Sequence, residues 1–454
     1  MKRYRLLTCL LALWLVCLPV LVACNGTDGA PDGTNVRWDG SRRDGEEYTV
    51  EGTGVPREPF DYDYDVTSAP FVAAQMSLAV DLLKGTVARN DYDASTLISP
   101  LSISMALAMA ANGAQGETLD QMLSVVARDI TQEQLNEGMR ELRERLIASM
   151  SPPRGNGVPP TVHIANSMWL RESEAVSFRD DFIQANQDYY DADAYERAFD
   201  DKTVREINRW VNDRTDGMIP TVVDELSEET VMLLVNTLFF EARWDDPFTD
   251  RQIKKGTFTA ANGQEREVDM LCGSEYHCLD DGHAQGFMKT YAGGKYAFVA
   301  LLPDAGTTVA QYVAGLEWEM LLSMLRDPYA GEGVWCRYQF PRFEIDYNDG
   351  GRLDDVLQSL GMTDAYSLAK ADFSGMGEMA SDRDNIHIGG VMHKTAMSVD
   401  ENGTRAAAVT AINTPGSPQP IEIRNVVFDR PFVCMIVERE TGIPLFMGTV
   451  MDVQ

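Results

Sequence analysis

The chain has 454 residues, of which 44% are hydrophobic and 24% are charged, so it can build one large globular domain or two to three ordinary ones. Its formal net charge is -31 at pH 7. Such a charge repels phosphate groups, which argues against nucleic acid or an anionic lipid surface as the main partner.

The first 24 residues have the order of an export signal. Basic MKRYR precedes the apolar run LLTCLLALWLVCLPVLV, and small Ala23 stands before Cys24. This order resembles a bacterial lipoprotein signal, which implies cleavage after residue 23 and a lipid on the Cys24 sulfur. We therefore expect an exported protein, lipid-anchored at the bacterial cell envelope or surface and facing the periplasm or the extracellular space. An ordinary signal peptide or an uncleaved membrane anchor is the alternative.

Residues 24–68 are rich in Gly, Asp and Pro and show little apolar periodicity. This composition predicts a disordered acidic tether, whose root-mean-square reach is roughly 35 Å for a flexible coil of this length. The periodic segments begin at about residue 69 and continue to residue 454 without a second linker. We therefore expect one folded domain over residues 69–454.

The first half of this domain contains mostly helical patterns. PFVAAQMSLAVDLLKGTV has apolar residues at helical spacing and predicts an amphipathic helix. STLISPLSISMALAMAANGA predicts a short strand, a break at Ser-Pro and then a strongly apolar helix. VREINRWVNDRTDGMIPTVV predicts another helix that ends at its glycine.

Strand patterns dominate the second half. ETVMLLVNTLFFEARW predicts a strand buried on both faces, and YAFVALLPD and VWCRYQFPRFEID predict further strands. GRLDDVLQSLGM predicts a helix, and NVVFDRPFVCMIVERETGIPLFMGTVM predicts a terminal pair of strands around a Glu-Thr-Gly turn. Helices that precede strands without strict alternation indicate the α+β class.

The usual catalytic motifs are missing from the sequence. It has no zinc-binding helix motif, phosphate-binding glycine loop, dinucleotide fingerprint or serine hydrolase elbow. Their absence does not exclude an enzyme, but nothing in the sequence nominates one, and we expect no cofactor and no metal.

One cluster nevertheless places four residues of zinc-ligand type within twelve positions, namely Cys272, His277, Cys278 and His283. Its spacing is unusual for structural zinc, so three interpretations stay open: a metal site, a disulfide between the two cysteines, or free thiols without a special role. Cys336 and Cys434 lie within apolar strand patterns and are expected to be buried small hydrophobic residues.

Five motifs in chain order resemble the serpin family. They are LISPLSIS at 97–104, LVNTLFF at 234–240 followed by Trp244 and DPF at 246–248, HKT at 393–395, FDRPF at 428–432 and PLFMG at 444–448. The resemblance covers residues 69–454. It implies a large central, mostly antiparallel sheet, two further sheets, about eight or nine helices and an exposed reactive loop at about 401–425.

The resemblance also assigns roles to single residues. It implies a hydrogen-bonded shutter beneath the central sheet, formed by Ser99, Ser102, Asn236 and His393. Trp244 would lie at the breach, where a new strand enters the sheet. Each of them viewed singly has the alternative of being an ordinary core residue with its hydrogen bonds satisfied.

The stretch that begins at Glu401 resembles the serpin hinge and reactive loop. The hinge residues implied by the resemblance are Glu401, Gly403, Thr404, Ala406, Ala407, Ala408 and Thr410. If this stretch becomes a strand, alternation sends the small side chains of Thr404, Ala406, Ala408 and Thr410 to one face. Arg405 then points to the opposite, solvated face. Asn402, Arg405 and Val409 depart from the residues that inhibitors usually carry.

By this resemblance the protein is a serine protease inhibitor, a suicide substrate that traps its target when the cut loop inserts into the sheet. The uncut, metastable fold is then a kinetic trap. We expect a monomer whose partner is an elastase-like or subtilisin-like serine protease, with a cysteine protease as a further option. The alternative is a non-inhibitory serpin that acts as a carrier, binding or adhesion protein.

The scissile bond is the least defined feature of the loop. Spacing from Glu401 points to the Ser417-Pro418 bond, whereas spacing from Phe428 points to Pro420, so the loop is a few residues longer than is common in the family. A proline after the bond hinders most serine proteases. Three further alternatives are therefore the bonds at Ile412, Thr414 and Gly416.

Overall fold

The structure is a computed structural model that describes residues 69–90, 93–148, 159–227, 230–275, 278–326, 334–380, 385–404 and 422–453. All of them belong to one compact unit, Asp61–Gln454. The expectations for the export signal, Cys24 and the tether lie outside the described residues. The same holds for the loop positions 405–421 and for His277.

The described residues form nine α-helices. Their bounds are α1 Ala69–Arg89, α2 Pro100–Ala111, α3 Gly116–Val126, α4 Gln132–Ile147, α5 Asp180–Tyr190, α6 Asp201–Arg214, α7 Val309–Ala314, α8 Trp318–Arg326 and α9 Arg352–Ser359. The predicted break at Ser-Pro is the start of α2, because Pro100 takes the first turn and the Ser99 side chain accepts a hydrogen bond from the Ser102 amide.

Eighteen strands complete the described part of the fold. The first nine are β1 Thr96–Ile98, β2 Thr161–Arg171, β3 Val176–Phe178, β4 Ala192–Arg197, β5 Met232–Arg243, β6 Ile253–Thr259, β7 Glu265–Glu275, β8 Cys278–Asp280 and β9 Ala284–Thr290. The other nine are β10 Tyr296–Pro303, β11 Val334–Pro341, β12 Phe343–Asn348, β13 Gly377–Met379, β14 Lys394–Val399, β15 Gly403–Thr404, β16 Glu422–Val427, β17 Phe432–Glu438 and β18 Pro444–Val450.

Three main sheets organise these strands. The central sheet has the order β12-β14-β15-β5-β2-β4, and only its β2–β4 pair is parallel. A second six-stranded sheet has the order β1-β18-β17-β10-β9-β8, and a four-stranded sheet has the order β16-β11-β7-β6. Strands β3 and β13 form a small additional pair. The expected α+β class, the large mostly antiparallel sheet and the number of helices are confirmed.

The hydrophobic core lies between the helices and these sheets. Helix α1 is long and apolar enough to cross a membrane by length and composition, yet most of it is buried inside the fold as a core helix. Helix α2 packs against β5 of the central sheet and β18 of the second sheet. The core therefore supports the central sheet directly beneath β5.

Candidate functional site

A slot divides the central sheet between β5 and β14. Strand β5 pairs with β2 from Met232 to Glu241. On its other side, among the residues that the structure describes, only Ala242 and Arg243 pair, and they pair with the two residues of β15. Strand β14 pairs with β12 and, at Val399, with Thr404 of β15. Below β15 a cavity of about 600 Å³ lies between the two strands, with a lining that includes Leu234, Asn236, Leu238, His393, Thr395 and Met397.

A tight turn, residues 400–403, closes the upper end of the slot, and we call it the hinge turn. The Asp400 carboxylate accepts hydrogen bonds from the amides of Asn402 (2.7 Å) and Gly403 (3.1 Å). A Cβ atom on Gly403 would stand 2.0 Å from the carbonyl oxygen of Ala242. Glycine is therefore required there, because the hinge turn presses its backbone against β5.

Thr404 is seated in the sheet at the top of the slot. It pairs with Ala242 of β5 and with Val399 of β14, and its side chain is only 3% exposed. Its hydroxyl shares a hydrogen bond with the hydroxyl of Tyr291. Burial raises the pKa of Tyr291, so this contact joins two neutral hydroxyl groups. Thr404 thus faces the core.

Trp244 donates two hydrogen bonds to the backbone of the hinge turn. Its indole N–H donates to the carbonyl oxygen of Asp400, and its backbone N–H donates to that of Asn402, each at 2.9 Å. Its ring stacks on Tyr291 with the centroids 4.6 Å apart. The buried tryptophan therefore fixes both the backbone of the turn and the partner of Thr404.

Glu401 is attached from the side of the turn. Its carboxylate lies 3.0 Å from Nε of Arg342, the residue between β11 and β12, and its carbonyl oxygen accepts from the Phe248 amide at 2.9 Å. Both side chains of the ion pair are about one-third exposed, so the pair is expected to add little to stability.

A buried hydrogen-bond network lies at the middle of the slot. The Ser99 amide donates to Nε2 of His393 at 3.0 Å, and the His393 amide donates to the Asp349 carboxylate at 3.1 Å. Burial lowers the pKa of His393 to about 4, and its Nε2 already accepts a hydrogen bond, so the ring is neutral at pH 7. Ser102 is close by, since its amide donates to the Ser99 hydroxyl.

Asn236 faces this network from the opposite wall. Its side-chain amide donates to the Asn166 side chain at 2.7 Å. Its own Oδ1 and the neighbouring Thr237 hydroxyl are buried and have no hydrogen-bond partner within the described part of the chain. A buried acceptor without a donor costs roughly 1–3 kcal/mol. The middle of the slot is therefore polar and incompletely satisfied.

The predicted site residues that the structure describes lie in two groups. Ser99, Ser102, Asn236 and His393 line the middle of the slot. Glu401, Gly403, Thr404 and Trp244 form or support its upper end. Sequence reasoning missed Asp400 and Asp349, although an Asp two residues before Asn or Gly is a turn signal. It also missed Tyr291 and Arg342, which no local pattern marks.

The remaining predicted positions lie outside the described residues: Ala406, Ala407, Ala408, Thr410, Ile412, Thr414, Gly416, Ser417, Pro418 and Pro420. Cys272 and Cys278 are free thiols, and Cys336 and Cys434 are buried as expected. Within the described ranges no three His, Cys, Asp or Glu side chains are grouped to hold a metal ion.

Comparison with known proteins points to one family. A family model described as Serpin (serine protease inhibitor) matches residues 73–453. An uncharacterized serpin-like protein of Thermococcus kodakarensis is 31% identical over 405 residues, which are 88% of this chain and 89% of that protein. Human serpin B8 is 29% identical over 383 residues, or 83% of this chain and 97% of that protein.

Solved serpin structures are also similar to this chain. The native state of tengpin, a thermophilic serpin, has a TM-score of 0.75 to this chain at 34% identity, and the match covers 85% of this chain and 95% of tengpin. The latent state of tengpin has a TM-score of 0.71 at 32% identity and covers 85% and 98%.

Proposed function

Because the chain belongs to the serpin family, whose members are generally protease inhibitors, we propose that it inhibits a serine endopeptidase as a suicide substrate. The target protease cuts the loop that follows Thr404 and forms an acyl-enzyme with the loop. The cut loop then enters the slot as a new strand, and the protease is carried along and trapped while it is still covalently attached.

The observation that carries this proposal is the position of β15. Gly403 and Thr404 already pair with β5 on one side and with β14 on the other, directly above the slot. The first two residues of a new strand are therefore in register before any cleavage. The entropic cost of ordering the first residues of the new strand has therefore largely been met before cleavage. Insertion then only extends this strand along β5 from Thr404 toward Met232.

Continuation of this register matches the loop sequence to the slot. Residues 406 and 408, both alanine, would face the core on the side of the sheet that packs against α2. Thr410 would lie opposite Asn236 on β5 and His393 beside β14. Its hydroxyl would then meet the polar middle of the slot, where the acceptor of Asn236 lacks a partner.

The side chains on the solvent-facing side of the central sheet also fit this register. Arg405 would lie opposite Glu241 of β5, which is partly exposed. Opposite charges on directly paired strand positions stabilise a sheet by roughly 0.2–1 kcal/mol. The arginine that departs from the common family pattern therefore has a complementary partner in this chain.

The free energy available from insertion is large. A strand from Arg405 to Thr414 would span β5 down to Met232, which adds about ten ladder hydrogen bonds. At about 1 kcal/mol net for each bond, insertion would release about 10 kcal/mol, comparable with the whole stability of a typical domain. The uncut protein is thus a kinetic trap, as the mechanism requires.

We propose an elastase-like or subtilisin-like target, since the loop between Ile412 and Gly416 offers small and aliphatic residues for the cut. The experiment mixes the purified protein with elastase-like, subtilisin-like, trypsin-like and papain-like proteases and resolves the products on denaturing gels. A covalent complex of higher mass supports inhibition. Complete cleavage without a complex across the whole panel contradicts it.

The thermal unfolding midpoint after loop cleavage distinguishes an inhibitor from a carrier. Insertion of about ten ladder residues should raise the midpoint by tens of degrees, whereas a carrier whose loop stays outside the sheet should show almost no change. The measurement is a calorimetric scan before and after limited proteolysis.

We also propose that the chain is exported and lipid-anchored through Cys24, with residues 24–68 as a spacer between the membrane and the inhibitor. This rests on the order of basic, apolar and small residues before that cysteine. Mass spectrometry of the N-terminal peptide of the protein from its native membrane tests it. An unmodified Cys24 would contradict the anchor but leave the inhibitory proposal intact.

A further inference from the structure

Two cysteines that are far apart in the sequence meet where two sheets pack together. In the four-stranded sheet, Cys336 of β11 lies opposite Glu275 of β7, and Cys272 lies opposite Gln339. Since directly paired residues point to the same face and neighbours alternate, Cys336 and Cys272 occupy opposite faces of this sheet. Cys336 is on the inner face, where it is fully buried.

The sheet that contains β8 and β9 packs on this inner face. Cys278 of β8 lies opposite Phe287 of β9, so the two side chains share a face. Phe287 stacks on Tyr338 of β11 with the centroids 3.8 Å apart, and Tyr338 is two residues beyond Cys336 on the same face. The Cys336 thiol itself donates to the carbonyl oxygen of Gly286 at 3.4 Å. The faces that bear Cys278 and Cys336 are therefore in direct contact.

A third contact joins β8 to β16, which is the neighbour of β11. Arg424 of β16 lies opposite Cys336 in the parallel pair of β11 and β16. Its guanidinium reaches across to the carboxylate of Asp280, two residues after Cys278, at 2.7 Å. A cation thus stands next to the thiol pair, at the strand that follows the reactive loop.

The two thiols are not equivalent. The neighbouring Cys336 side chain lowers the pKa of Cys278 despite its partial burial, and Arg424 lowers it further. The proximity of Cys278 and burial raise the pKa of Cys336. Cys278 is half-buried and Cys336 is fully buried. Cys278 is thus suited to be the attacking thiolate, and Cys336 is suited to be the resolving thiol.

We propose that Cys278 and Cys336 are a redox-sensitive pair that forms a disulfide between β8 and β11 on reaction with a low-molecular-weight disulfide. The Cys278 thiolate attacks one sulfur of oxidised glutathione, forms a mixed disulfide and releases one glutathione thiolate. Cys336 then attacks the Cys278 sulfur, loses its proton to solvent and displaces the second glutathione thiolate. Two protein thiols are oxidised, and one glutathione disulfide is reduced to two thiols.

The bridge would tie the edge strand of one sheet to the strand that holds β16 in the other. It closes a covalent loop of about 60 residues, and cross-links of this length restrict the unfolded chain strongly. We therefore expect the oxidised protein to unfold at a temperature several degrees higher than the reduced protein. Neither cysteine belongs to the hinge turn or to the strands that line the slot.

The test treats the full-length purified protein with oxidised glutathione or with dithiothreitol, and maps its tryptic peptides without reduction. Cys272 and Cys278 share the peptide of residues 267–289, and Cys336 lies in that of residues 327–337. We expect these two peptides to be linked after oxidation, with the loss of two free thiols per chain and an upward shift of the thermal midpoint.

Matched serine variants identify the cysteine that takes part. Cys272→Ser should retain the linked peptides and the shift, whereas Cys278→Ser should lose both. A bridge between Cys272 and Cys278 would overturn the proposal, as would glutathione on Cys278 with Cys336 still free. Because none of these measurements uses a protease, their failure is distinguishable from a failure of the inhibitory function.

Discussion

Replacement of Thr404 by arginine tests whether the hinge residue must face the core. The Thr404 side chain is 3% exposed, and its hydroxyl is hydrogen-bonded to Tyr291. A guanidinium carries five N–H donors and a fixed charge, and Tyr291 offers it a single neutral acceptor. Thr404→Arg should therefore drive the first residue of the new strand out of the slot.

The magnitude follows from the cost of an uncompensated buried charge, which is about 3–5 kcal/mol. Since each 1.4 kcal/mol changes a rate or an equilibrium tenfold, about 3 kcal/mol slows insertion more than 100-fold. Deacylation of the protease is not slowed by the substitution. The partition between trapping and release should therefore shift almost completely toward release, and the variant should behave as a substrate.

The assay measures the number of inhibitor molecules consumed per protease molecule trapped, and the yield of covalent complex on denaturing gels. Asn402→Arg is the matched control, because it adds the same charge to the hinge turn at a partly exposed position and should keep trapping near the original level. If Thr404→Arg trapped protease at an unchanged stoichiometry, the reasoning that places this side chain under the sheet would be refuted.

Three further substitutions test the hinge turn and the network beneath it. Burial lowers the pKa of His393 to about 4, below its unfolded value of about 6.5, so stability is complete above pH 6.5 and falls toward pH 4. The free energy of unfolding, measured by urea titration, should change between pH 6.5 and pH 4 by about 3 kcal/mol less in His393→Gln than in the original protein. Gly403→Ala should abolish complex formation on gels, because its Cβ would meet the Ala242 carbonyl at 2.0 Å. Glu401→Gln removes the charge from the pair with Arg342, whose side chains are about one-third exposed, and should cost less than about 1 kcal/mol in calorimetry, with a smaller difference at high salt.

Each of these outcomes can contradict its premise. An equal pH dependence in His393→Gln would mean that another group titrates. Normal trapping by Gly403→Ala would mean that the hinge turn moves away from β5 without cost. A loss of several kcal/mol in Glu401→Gln would mean that the ion pair is far less screened than its exposure indicates.

Local patterns in the sequence determined much of the fold. The Ser-Pro pair marks the start of α2, because a capping hydroxyl and a proline suit the first turn of a helix. The β-branched and aromatic run of β5 indicates a strand through its own side chains. Alternation groups Thr404 with the small residues at 406, 408 and 410 on one face of a strand, and the structure buries Thr404 itself. These features depend on neighbours within a few positions, so the sequence contains them directly.

Only the tertiary structure decided which distant residues meet. VWCRYQFPRFEID looks like one strand region, yet it leaves one sheet and joins another at Arg342, which thereby reaches Glu401. Tyr291, the residue after β9, becomes the partner of Thr404 in β15 only because segments more than 100 positions apart pack together. Cys278 faces Cys336 rather than Cys272, because the face of each side chain is set by strand register. Register is a property of paired strands, and a single strand's sequence does not contain it.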